Sequence, residues 1–336
     1  MIEIRDLQKS FGEKRALDGL NLTVPEGVAY GLLGRNGAGK TTTIRILMNI
    51  FREDGGTAMI DGAPAWKEPA RIGYLPEERG LYPKRTILEQ LVYLARLKGI
   101  PPAQAEKTVR EKLAEMEATE YTNQKLDTLS KGNQQKIQLA VALLSDPDIV
   151  ILDEPFSGLD PVNAQILKDA VRRQVKLGKT VIFSSHQMAQ VEEFCDNVCI
   201  INHGRTVLEG NLTQIKRSYP RNRIYIAFEQ APADGADTAA QETLRGKLTS
   251  MPHVTDVEPN GAGFDVTIDD AGARGALLRA LDEAGLPLDS FAVIEPTLEQ
   301  IFIEKVGGPE PGEEALSVEE PAKRRRRGLF GRRARS

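Results

Sequence analysis

One glycine-rich stretch carries the residue types that bind phosphate groups. The sequence GRNGAGKT at residues 34–41 matches the pattern G-x4-G-K-[ST]. An apolar run at residues 28–33 predicts a strand before it, and apolar residues at helical spacing in residues 41–51 predict a helix after it. A glycine-rich turn that enters a helix by chance is the alternative, but the Lys–Thr pair and the flanking elements argue against it. The stretch therefore predicts a phosphate-binding loop.

The residue types in this loop suit a nucleoside triphosphate. Gly37 and Gly39 let the backbone bend around phosphates with its N–H groups pointing inward, and the helix that follows adds its positive N-terminal end. Lys40 supplies a point charge for the β- and γ-phosphates. Thr41 supplies a hydroxyl for Mg²⁺.

Two adjacent carboxylates follow a second apolar run. The sequence DIVILDE at residues 148–154 predicts a buried strand that ends at Asp153 and Glu154. Strand alternation would place the two side chains on opposite sides, so that Asp153 holds Mg²⁺ while Glu154 faces a water that attacks the γ-phosphate. An acidic strand end or a helix cap is the alternative. The pairing with the phosphate loop favours the catalytic interpretation.

The elements that must position these residues predict an α/β fold. Residues 1–33 alternate as strands do, and strands at 149–152 and 180–184 are each followed by a helical stretch, which is the βαβ order of a parallel sheet. Residues 78–145 are predicted to form a helical insert. The predicted class is a P-loop NTPase with a parallel-sheet core and a β subdomain.

A second, smaller domain is predicted after residue 212. Residues 222–306 show the order βαββαβ, which is typical of a ferredoxin-like α+β domain. Residues 307–336 are rich first in Pro, Gly and Glu and then in Arg, and a segment of that composition cannot bury a core. We therefore predict domains at 1–212 and 222–306, followed by a disordered tail.

The composition is that of a soluble protein with an acidic body. The chain has 336 residues, of which 40% are hydrophobic and 27% charged. No stretch approaches the roughly 18 to 20 apolar residues that cross a bilayer, and the first residues lack the apolar core of a secretory signal, which predicts a cytoplasmic location. Residues 308–336 hold 8 Lys+Arg and 5 Asp+Glu, so the total of −4 leaves −7 on residues 1–307. An acidic body argues against nucleic-acid binding.

Residues 1–212 resemble the ATP-binding-cassette (ABC) family, because further motifs occur in the family's order. The sequence LSKGN at residues 129–133, followed by QQK, is similar to the family's signature motif. The sequence SGLD at residues 157–160 matches its D-loop, and His186, after a predicted strand, matches its switch histidine. A lone histidine is more often a surface or core residue, but this one lies 32 residues beyond Glu154 at a strand end, which favours contact with the γ-phosphate.

Two weaker matches complete the resemblance. Phe11, 29 residues before Lys40, resembles the aromatic residue that stacks on adenine, although ordinary packing is an equal alternative. Glu77, in the sequence IGYLPE, occupies the Q-loop position. Chance can imitate one of these motifs but not readily the ordered set.

The resemblance implies an ATPase that closes as a head-to-tail dimer, with a homodimer expected. Ser130 would present its hydroxyl and the helix N–H groups to the γ-phosphate of the other subunit's ATP, whereas a simple helix cap is the alternative. Glu154 and His186 are the expected catalytic residues, and Thr41, Glu77 and Asp153 the expected Mg²⁺ ligands. The residues expected to contact ATP are Phe11, Gly34, Arg35, Asn36, Gly37, Ala38, Gly39, Lys40, Thr41, Thr42, Ser130, Gly132, Asn133 and Asp160.

The sequence departs from the family's usual pattern at three positions. Lys131 and Asn133 stand where the family usually has Gly and Gln, and Glu77 stands where it usually has Gln. Glu77 keeps an oxygen for Mg²⁺ but adds charge beside the triphosphate. Lys131 adds a cation near the second phosphate site. We expect ATP hydrolysis to survive all of these changes.

A single phosphate loop indicates a single cassette, which suits a subunit that pairs with an integral membrane permease on the inner face of the cell membrane. The soluble ABC ATPases that act on ribosomes or nucleic acid usually carry two cassettes, and they are the alternative class. Residues 80–85 lie where the family's subunits contact the permease. The signature and the appended domain most resemble bacterial sodium-efflux and drug-efflux systems, which implies export.

The C-terminal parts allow more than one interpretation. The second domain shows no metal or catalytic constellation, which favours a dimer-stabilising or regulatory appendage over a small-ligand sensor. The tail has eight basic residues around Leu329 and Phe330. These predict either contact with anionic lipid or a solvated end.

Overall fold

The structure is a computed structural model that describes residues 1–67, 72–78, 80–229 and 238–307. The predicted tail, apart from Gly307, lies outside these residues, so the prediction of its contact with lipid is not tested. Among the helices described, none has both the length and the apolar character needed to cross a membrane.

A six-stranded sheet forms the centre of the larger part of the chain. Three of its strands are buried along their whole length, as the apolar runs in the sequence predict for strands covered on both faces. All neighbouring strands are parallel except for one antiparallel pair at an edge. In spatial order the strands are β10 (Arg205–Asn211), β9 (Asn197–Asn202), β3 (Ala29–Leu33), β8 (Thr180–Ser185), β7 (Ile149–Asp153) and β6 (Ile72–Leu75).

An antiparallel sheet packs against this core and supplies the predicted β subdomain. Its two long strands form a hairpin in which Phe11 pairs with Lys14. In spatial order its strands are β2 (Lys14–Val24), β1 (Ile2–Phe11), β4 (Gly55–Ile60) and β5 (Ala63–Pro64).

In the described residues, seven α-helices and a few short 3-10 turns accompany these two sheets. The helix predicted at residues 41–51 ends at Leu47, because Asn49 has a positive φ of 56° that no helix continues through. Thr86 begins the first helix of the insert with a capping box, closed by Glu89. The helices are α1 (Lys40–Leu47), α2 (Ile87–Leu97), α3 (Pro102–Glu115), α4 (Lys131–Ala142), α5 (Pro161–Lys176), α6 (Met188–Phe194) and α7 (Leu212–Ser218).

The remaining residues form a smaller α+β unit, which confirms the predicted fold class. Its four antiparallel strands have the spatial order β12–β13–β11–β14, as in a ferredoxin-like sheet. Leu277 and Leu281 of one helix and Leu248 of the other are buried against one face of this sheet. The elements are β11 (Arg223–Phe228), α8 (Thr238–Thr249), β12 (Val254–Asn260), β13 (Gly263–Ile268), α9 (Arg274–Glu283) and β14 (Leu288–Ile294).

The last helix, α10 (Leu298–Val306), returns to the larger unit. Its apolar residues Leu298, Ile301 and Phe302 belong to the same core as α2 to α7. The backbone N–H of Leu298 donates to the carboxylate of Glu192 on α6 at 3.3 Å. The sequence pattern assigns residues 222–306 to the small domain. The last helix of this segment is instead packed into the larger unit.

Candidate nucleotide site

The glycine-rich loop joins β3 to α1, as predicted. Gly37 and Gly39 have φ values of 81° and 118°, a region that L side chains rarely adopt. A Cβ on Gly39 would also lie 2.8 Å from Leu17 Cδ2 and 3.0 Å from the Ala16 carbonyl oxygen. Only glycine lets the loop approach β2 this closely, so the residue type is required by the packing as well as by the bend.

Lys40 is buried at the start of α1 and is held by the loop itself. Its Nζ donates to the carbonyl oxygen of Gly34 at 2.6 Å and to that of Arg35 at 3.3 Å. Burial lowers the pKa of Lys40, while the carboxylates of Glu154, Asp153 and Glu77 act in the opposite direction. A phosphate entering the loop would replace carbonyl partners with charged ones.

Asp153 ends β7 directly beside the loop. Its Oδ2 accepts a hydrogen bond from Thr41 Oγ1 at 3.3 Å. Its Oδ1 is buried and accepts no hydrogen bond from the described residues. Burial, with the carboxylate of Glu77 as a further cause, raises the pKa of Asp153.

These oxygens fit Mg²⁺. An orphaned carboxylate oxygen beside a hydroxyl is the ligand type that Mg²⁺ takes, because it is bound by one or two carboxylates together with substrate phosphates. In the described part of the chain, no cluster of three or more His, Cys, Asp or Glu side chains could hold a metal on its own. The phosphates of the nucleotide would have to supply the remaining ligands.

Glu154 is oriented by the strand that lies beside β7. The backbone of Glu154 has a φ of 48°, so this residue is not in a strand conformation. Strand alternation therefore does not explain how the two carboxylates are separated, and that part of the prediction is wrong. Its Oε1 accepts from the backbone N–H of His186 at 2.9 Å and lies 2.7 Å from His186 Nδ1. Its Oε2 accepts from Ser185 Oγ at 3.1 Å. The β8 terminus therefore fixes both carboxylate oxygens of Glu154.

These groups surround one cavity of about 420 Å³. Phe11, which is 44% exposed, lines it while packing edge-on against Phe51. The packing of this residue is therefore observed, and its contact with adenine stays a prediction. Lys14 and Ala16, which the sequence analysis missed, line it because the β1–β2 hairpin brings them beside Phe11. The predicted residues that line it are Phe11, Arg35, Asn36, Gly37, Gly39, Lys40, Thr41, Thr42, Glu77, Asp153 and Glu154.

Comparison with known proteins identifies this arrangement. A family model described as ABC transporter matches residues 17–157, and a model described as ATP-binding protein DrrA1-3-like, C-terminal domain, matches residues 210–306. The uncharacterized ABC transporter ATP-binding protein YhaQ of Bacillus subtilis (strain 168) is 42% identical over 308 residues, which cover 91% of this chain and 99% of that protein. The chain belongs to the ABC transporter ATP-binding proteins. It is therefore an ATPase subunit.

Two further similarities extend the comparison. The daunorubicin/doxorubicin resistance ATP-binding protein DrrA of Streptomyces peucetius is 32% identical over 312 residues, which cover 92% of this chain and 93% of that protein. The dimeric structure of MJ0796, a bacterial ABC transporter cassette, matches with a TM-score of 0.58 and 26% identity over 63% of this chain and 99% of that one. The same cassette is also known as a dimer bound to ADP and Pi, in a post-hydrolysis state.

The signature residues of this ABC cassette lie away from its own nucleotide cavity. Ser130 caps α4 by accepting from the backbone N–H of Asn133 at 3.3 Å. The side chain of Asn133 donates to Tyr121 Oη at 2.9 Å. Ser130, Gly132 and Asn133 are absent from the residues that line the cavity. Within one subunit they make structural contacts only.

Asp160, the last residue of the D-loop sequence, is also outside the cavity. Its Oδ1 caps α5 by accepting from the backbone N–H groups of Val162 and Asn163 at 3.1 and 3.0 Å. Its Oδ2 accepts from Asn163 Nδ2 at 2.6 Å. These hydrogen bonds from Asn163 lower the pKa of Asp160.

Gly34 and Ala38, which were also predicted to contact ATP, belong to the phosphate loop but do not line this cavity.

A second cavity, of about 290 Å³, shares Arg35 and Asn36 of the phosphate loop with the first. His186 and Arg35 line it together with Glu299 and Phe302 of α10. The guanidinium of Arg35 donates to the carbonyl oxygen of Gly307, just after α10, at 3.1 Å. The terminal helix thus lies against both the switch histidine and the phosphate loop.

Proposed function

We propose that this ATPase subunit works as a head-to-tail homodimer on an integral membrane permease and drives export. The observation that carries the proposal is the split site: the phosphate loop, Asp153 and Glu154 share one cavity, while Ser130 and its neighbours lie outside it. A second subunit is needed to bring a signature helix N-terminus to the γ-phosphate, where backbone N–H groups favour an anion. The dimeric form of the related cassette MJ0796 supports this arrangement.

Nucleotide binding would be driven by groups that the loop already holds in place. Lys40 would turn from the carbonyl oxygens of Gly34 and Arg35 to the β- and γ-phosphates. Thr41 Oγ1 and Asp153 Oδ1 would bind Mg²⁺, which neutralises charge developing on the phosphates when it is bound. Glu77 lines the same cavity and would be the third protein group for the metal.

Glu154 would orient and deprotonate the attacking water. The backbone N–H of His186 and the Ser185 hydroxyl hold its carboxylate in one orientation. This reduces the conformational entropy that the Glu154 side chain loses when it aligns the water. When Nδ1 carries the proton, the imidazole of His186 donates to Glu154. A donor contact with the γ-phosphate would in addition require a proton on Nε2.

The permease would dock beside the start of α2. Tyr82 and Tyr93 are 58% and 54% exposed and border a cavity of about 440 Å³ with Arg85 and Glu89. Exposed aromatic residues around a concave surface are typical of protein interfaces. This docking surface lies within and just beyond residues 80–85, and would place the subunit at the inner face of the membrane.

The direction of transport is proposed from similarity. The relative DrrA is named for daunorubicin/doxorubicin resistance, and another relative, from Burkholderia lata, is named a Nod factor export ATP-binding protein. For the C-terminal domain we propose a regulatory or dimer-stabilising role, because α10 contacts the phosphate loop and the α6 region. Anionic-lipid contact by the basic tail stays a proposal, tested by liposome binding with and without residues 323–336.

The experiment is to trap the closed dimer with the Glu154→Gln variant. We expect ATP with Mg²⁺ to convert this variant from monomer to dimer in size-exclusion chromatography, with hydrolysis reduced by about a hundredfold or more, as loss of a general base predicts. Ser130→Arg in the same background is the matched control, because it blocks the signature without altering the cavity. A variant that stays monomeric with ATP and Mg²⁺ would contradict head-to-tail closure. Recovery of the wild-type protein on ribosomes instead of with a membrane protein would favour the soluble alternative.

A further inference from the structure

Two charged residues, one on each side of the split site, stand where the family usually has neutral ones. Glu77 lines the nucleotide cavity where the family usually has glutamine, and Lys131 stands in the signature where it usually has glycine. The first change adds a negative charge to the phosphate side of the site. The second adds a positive charge to the signature side. In the assembled dimer these opposite charges would face the same nucleotide.

The phosphate side has no surplus of positive charge with which to hold a triphosphate. Among the described residues that line the cavity, three cationic side chains are balanced by three anionic ones. Burial raises the pKa of Asp153, and the carboxylate of Glu77 adds to this rise, so the charge of Glu77 acts directly on the metal side of the cavity. ATP remains negatively charged when Mg²⁺ is bound to it. A further cation from outside the subunit would therefore improve the charge balance. The cations are Lys14, Arg35 and Lys40, and the anions are Glu77, Asp153 and Glu154.

Lys131 begins α4 in a position that is electrostatically unfavourable within one subunit. It is exposed, it directly follows the cap residue Ser130, and the first turn of α4 contains no acidic residue. A cation at this end of a helix is repelled by the partial positive charge of the free N–H groups. By contrast, α2 carries Glu89 in its first turn. In the described part of the chain, the ammonium of Lys131 forms no ion pair that would offset this repulsion. An anion in front of α4 would satisfy both the helix and the lysine.

The helix geometry directs Lys131 toward the phosphate that the signature would bind. Side chains on a helix tilt toward its N-terminus, which is the end that would face the γ-phosphate. The Cα atoms of Ser130 and Lys131 are about 3.8 Å apart, as they are across any trans peptide bond. A phosphate that contacts the Ser130 hydroxyl therefore lies within reach of the flexible four-carbon stem of lysine. Both side chains can bind the same phosphate.

We propose that Lys131 is a further catalytic residue, which binds the γ-phosphate held by the partner subunit and offsets the charge of the partner's Glu77. The inference rests on the proposed head-to-tail closure. During hydrolysis, the water oxygen bonds to the γ-phosphorus, the bond to the bridging oxygen breaks, and ADP leaves with the electron pair. A cation on the terminal phosphate stabilises the negative charge that is redistributed in this step. Lys131 would act in the dimer and leave nucleotide binding by the single subunit unchanged.

The first test is the Lys131→Gln variant, which removes the charge but keeps a similar helix propensity. We expect kcat for ATP hydrolysis to fall about tenfold or more, as loss of one group that stabilises transition-state charge predicts. Affinity of the monomer for a fluorescent ATP analogue should stay within about twofold, since the phosphate loop is untouched. The midpoint of urea unfolding should rise slightly, because a cation leaves the positive end of α4. An unchanged kcat would overturn the proposal. So would a lower midpoint together with a lower kcat, because loss of folded protein would then explain both.

Dimerisation shows in which subunit Lys131 acts. In the Glu154→Gln background, which slows turnover, Lys131→Gln should raise the dissociation constant of the ATP-bound dimer about tenfold. Sedimentation at several protein concentrations, with saturating ATP and Mg²⁺, measures this constant. Weaker binding of the ATP analogue by the monomer, with an unchanged dimer constant, would overturn the proposal, because Lys131 would then act on the site of its own chain.

Two control variants separate a local contact from a general change in charge. Lys125→Gln removes the same charge from an exposed lysine six residues earlier and should keep the wild-type kcat and dimer constant. Lys131→Arg keeps the cation and should keep kcat within about threefold of the wild type. Equal losses in Lys125→Gln and Lys131→Gln would overturn the proposal, because the net charge of the surface would then explain both.

A double-mutant cycle tests whether Lys131 offsets Glu77. In the Glu77→Gln background the site carries less negative charge, so the loss of kcat caused by Lys131→Gln should shrink to about threefold. The same fractional loss in both backgrounds would show that the two charges act independently and would overturn the proposal.

Failure of the lysine contact and failure of the proposed function are distinguishable. If Glu154→Gln dimerises with ATP, but Lys131→Gln changes neither the dimer constant nor kcat, only the role of Lys131 is refuted. If Glu154→Gln does not dimerise with ATP, the head-to-tail function itself is refuted, and the contact between subunits with it.

Discussion

α10 packs into the core of the cassette. We therefore predict that one substitution in this terminal helix destabilises the cassette, although most of the cassette precedes α10 by more than eighty residues in sequence. Ile301 is fully buried, at 0% exposure, in the core shared with α2 to α7. Ile301→Ala removes apolar atoms from this buried core and leaves a cavity. The expected cost is about 2–5 kcal/mol in the free energy of unfolding.

The assay is urea unfolding followed by tryptophan fluorescence. The chain contains one tryptophan, Trp66, which lies in the short helical turn Ala65–Lys67 beside α1 and therefore reports on the cassette. We expect Ile301→Ala to move the Trp66 transition to lower urea. Ile303→Ala is the control on the same helix, because Ile303 is 47% exposed and its loss should cost no more than about 0.5 kcal/mol.

The result that would refute this reasoning is a separation of the two units. If Ile301→Ala leaves the Trp66 transition where it is in the wild type, while circular dichroism shows a new transition at lower urea, α10 contributes to the stability of the small domain alone. In that case the α10 contacts with Glu192 and Arg35 would not couple the domains energetically.

Three further predictions concern the nucleotide cavity. Because burial raises the pKa of Asp153, this carboxyl takes up a proton at a higher pH than an ordinary aspartate. As pH falls from neutral toward that raised pKa, Mg²⁺-dependent ATP affinity should fall. The stability of the nucleotide-free protein should rise over the same range, because the native state binds the proton more tightly than the unfolded state. Titrations of ATP and of urea across this range check both signs, and Asp153→Asn should remove the contribution of this carboxyl to each pH dependence. His186→Ala should lower kcat by about a hundredfold with little change in ATP affinity, because it removes an orienting partner of Glu154; a KM change without a kcat change would contradict this. Glu77→Gln should keep turnover within about tenfold of the wild type, since Glu77 is exposed and solvent weakens its repulsion of the triphosphate. A larger rise in a steady-state assay would show that the glutamate inhibits the site.

The phosphate loop and the carboxylate strand could be predicted because their chemistry is local. Gly39, Lys40 and Thr41 are set by a strand, a turn and a helix that adjoin in sequence, and Asp153 ends a buried run. The conformation of Glu154 could not be predicted, because its positive φ and its contact with His186 depend on the neighbouring strand of the sheet.

Long-range packing accounts for what the sequence analysis missed. Lys14 and Ala16 line the cavity because hairpin register brings them beside Phe11, and register is set by pairing rather than by residue type. The apolar spacing of Leu298 and Ile301 predicts a helix with one buried face. It does not specify which of the two cores that face enters.

The resting contacts of the catalytic groups predict that a single subunit hydrolyses ATP slowly. Lys40 is bonded to loop carbonyls, Glu154 to the end of β8, and Asp160 to its own helix. Lys40 must exchange its carbonyl partners for phosphates, and the signature residues that would complete the site belong to a second subunit. Part of the energy for closing the site therefore comes from contacts that one chain does not make alone. Specific activity should therefore rise steeply with protein concentration at saturating ATP and Mg²⁺. An activity per subunit that stays constant under dilution below the dimerisation range would contradict this argument.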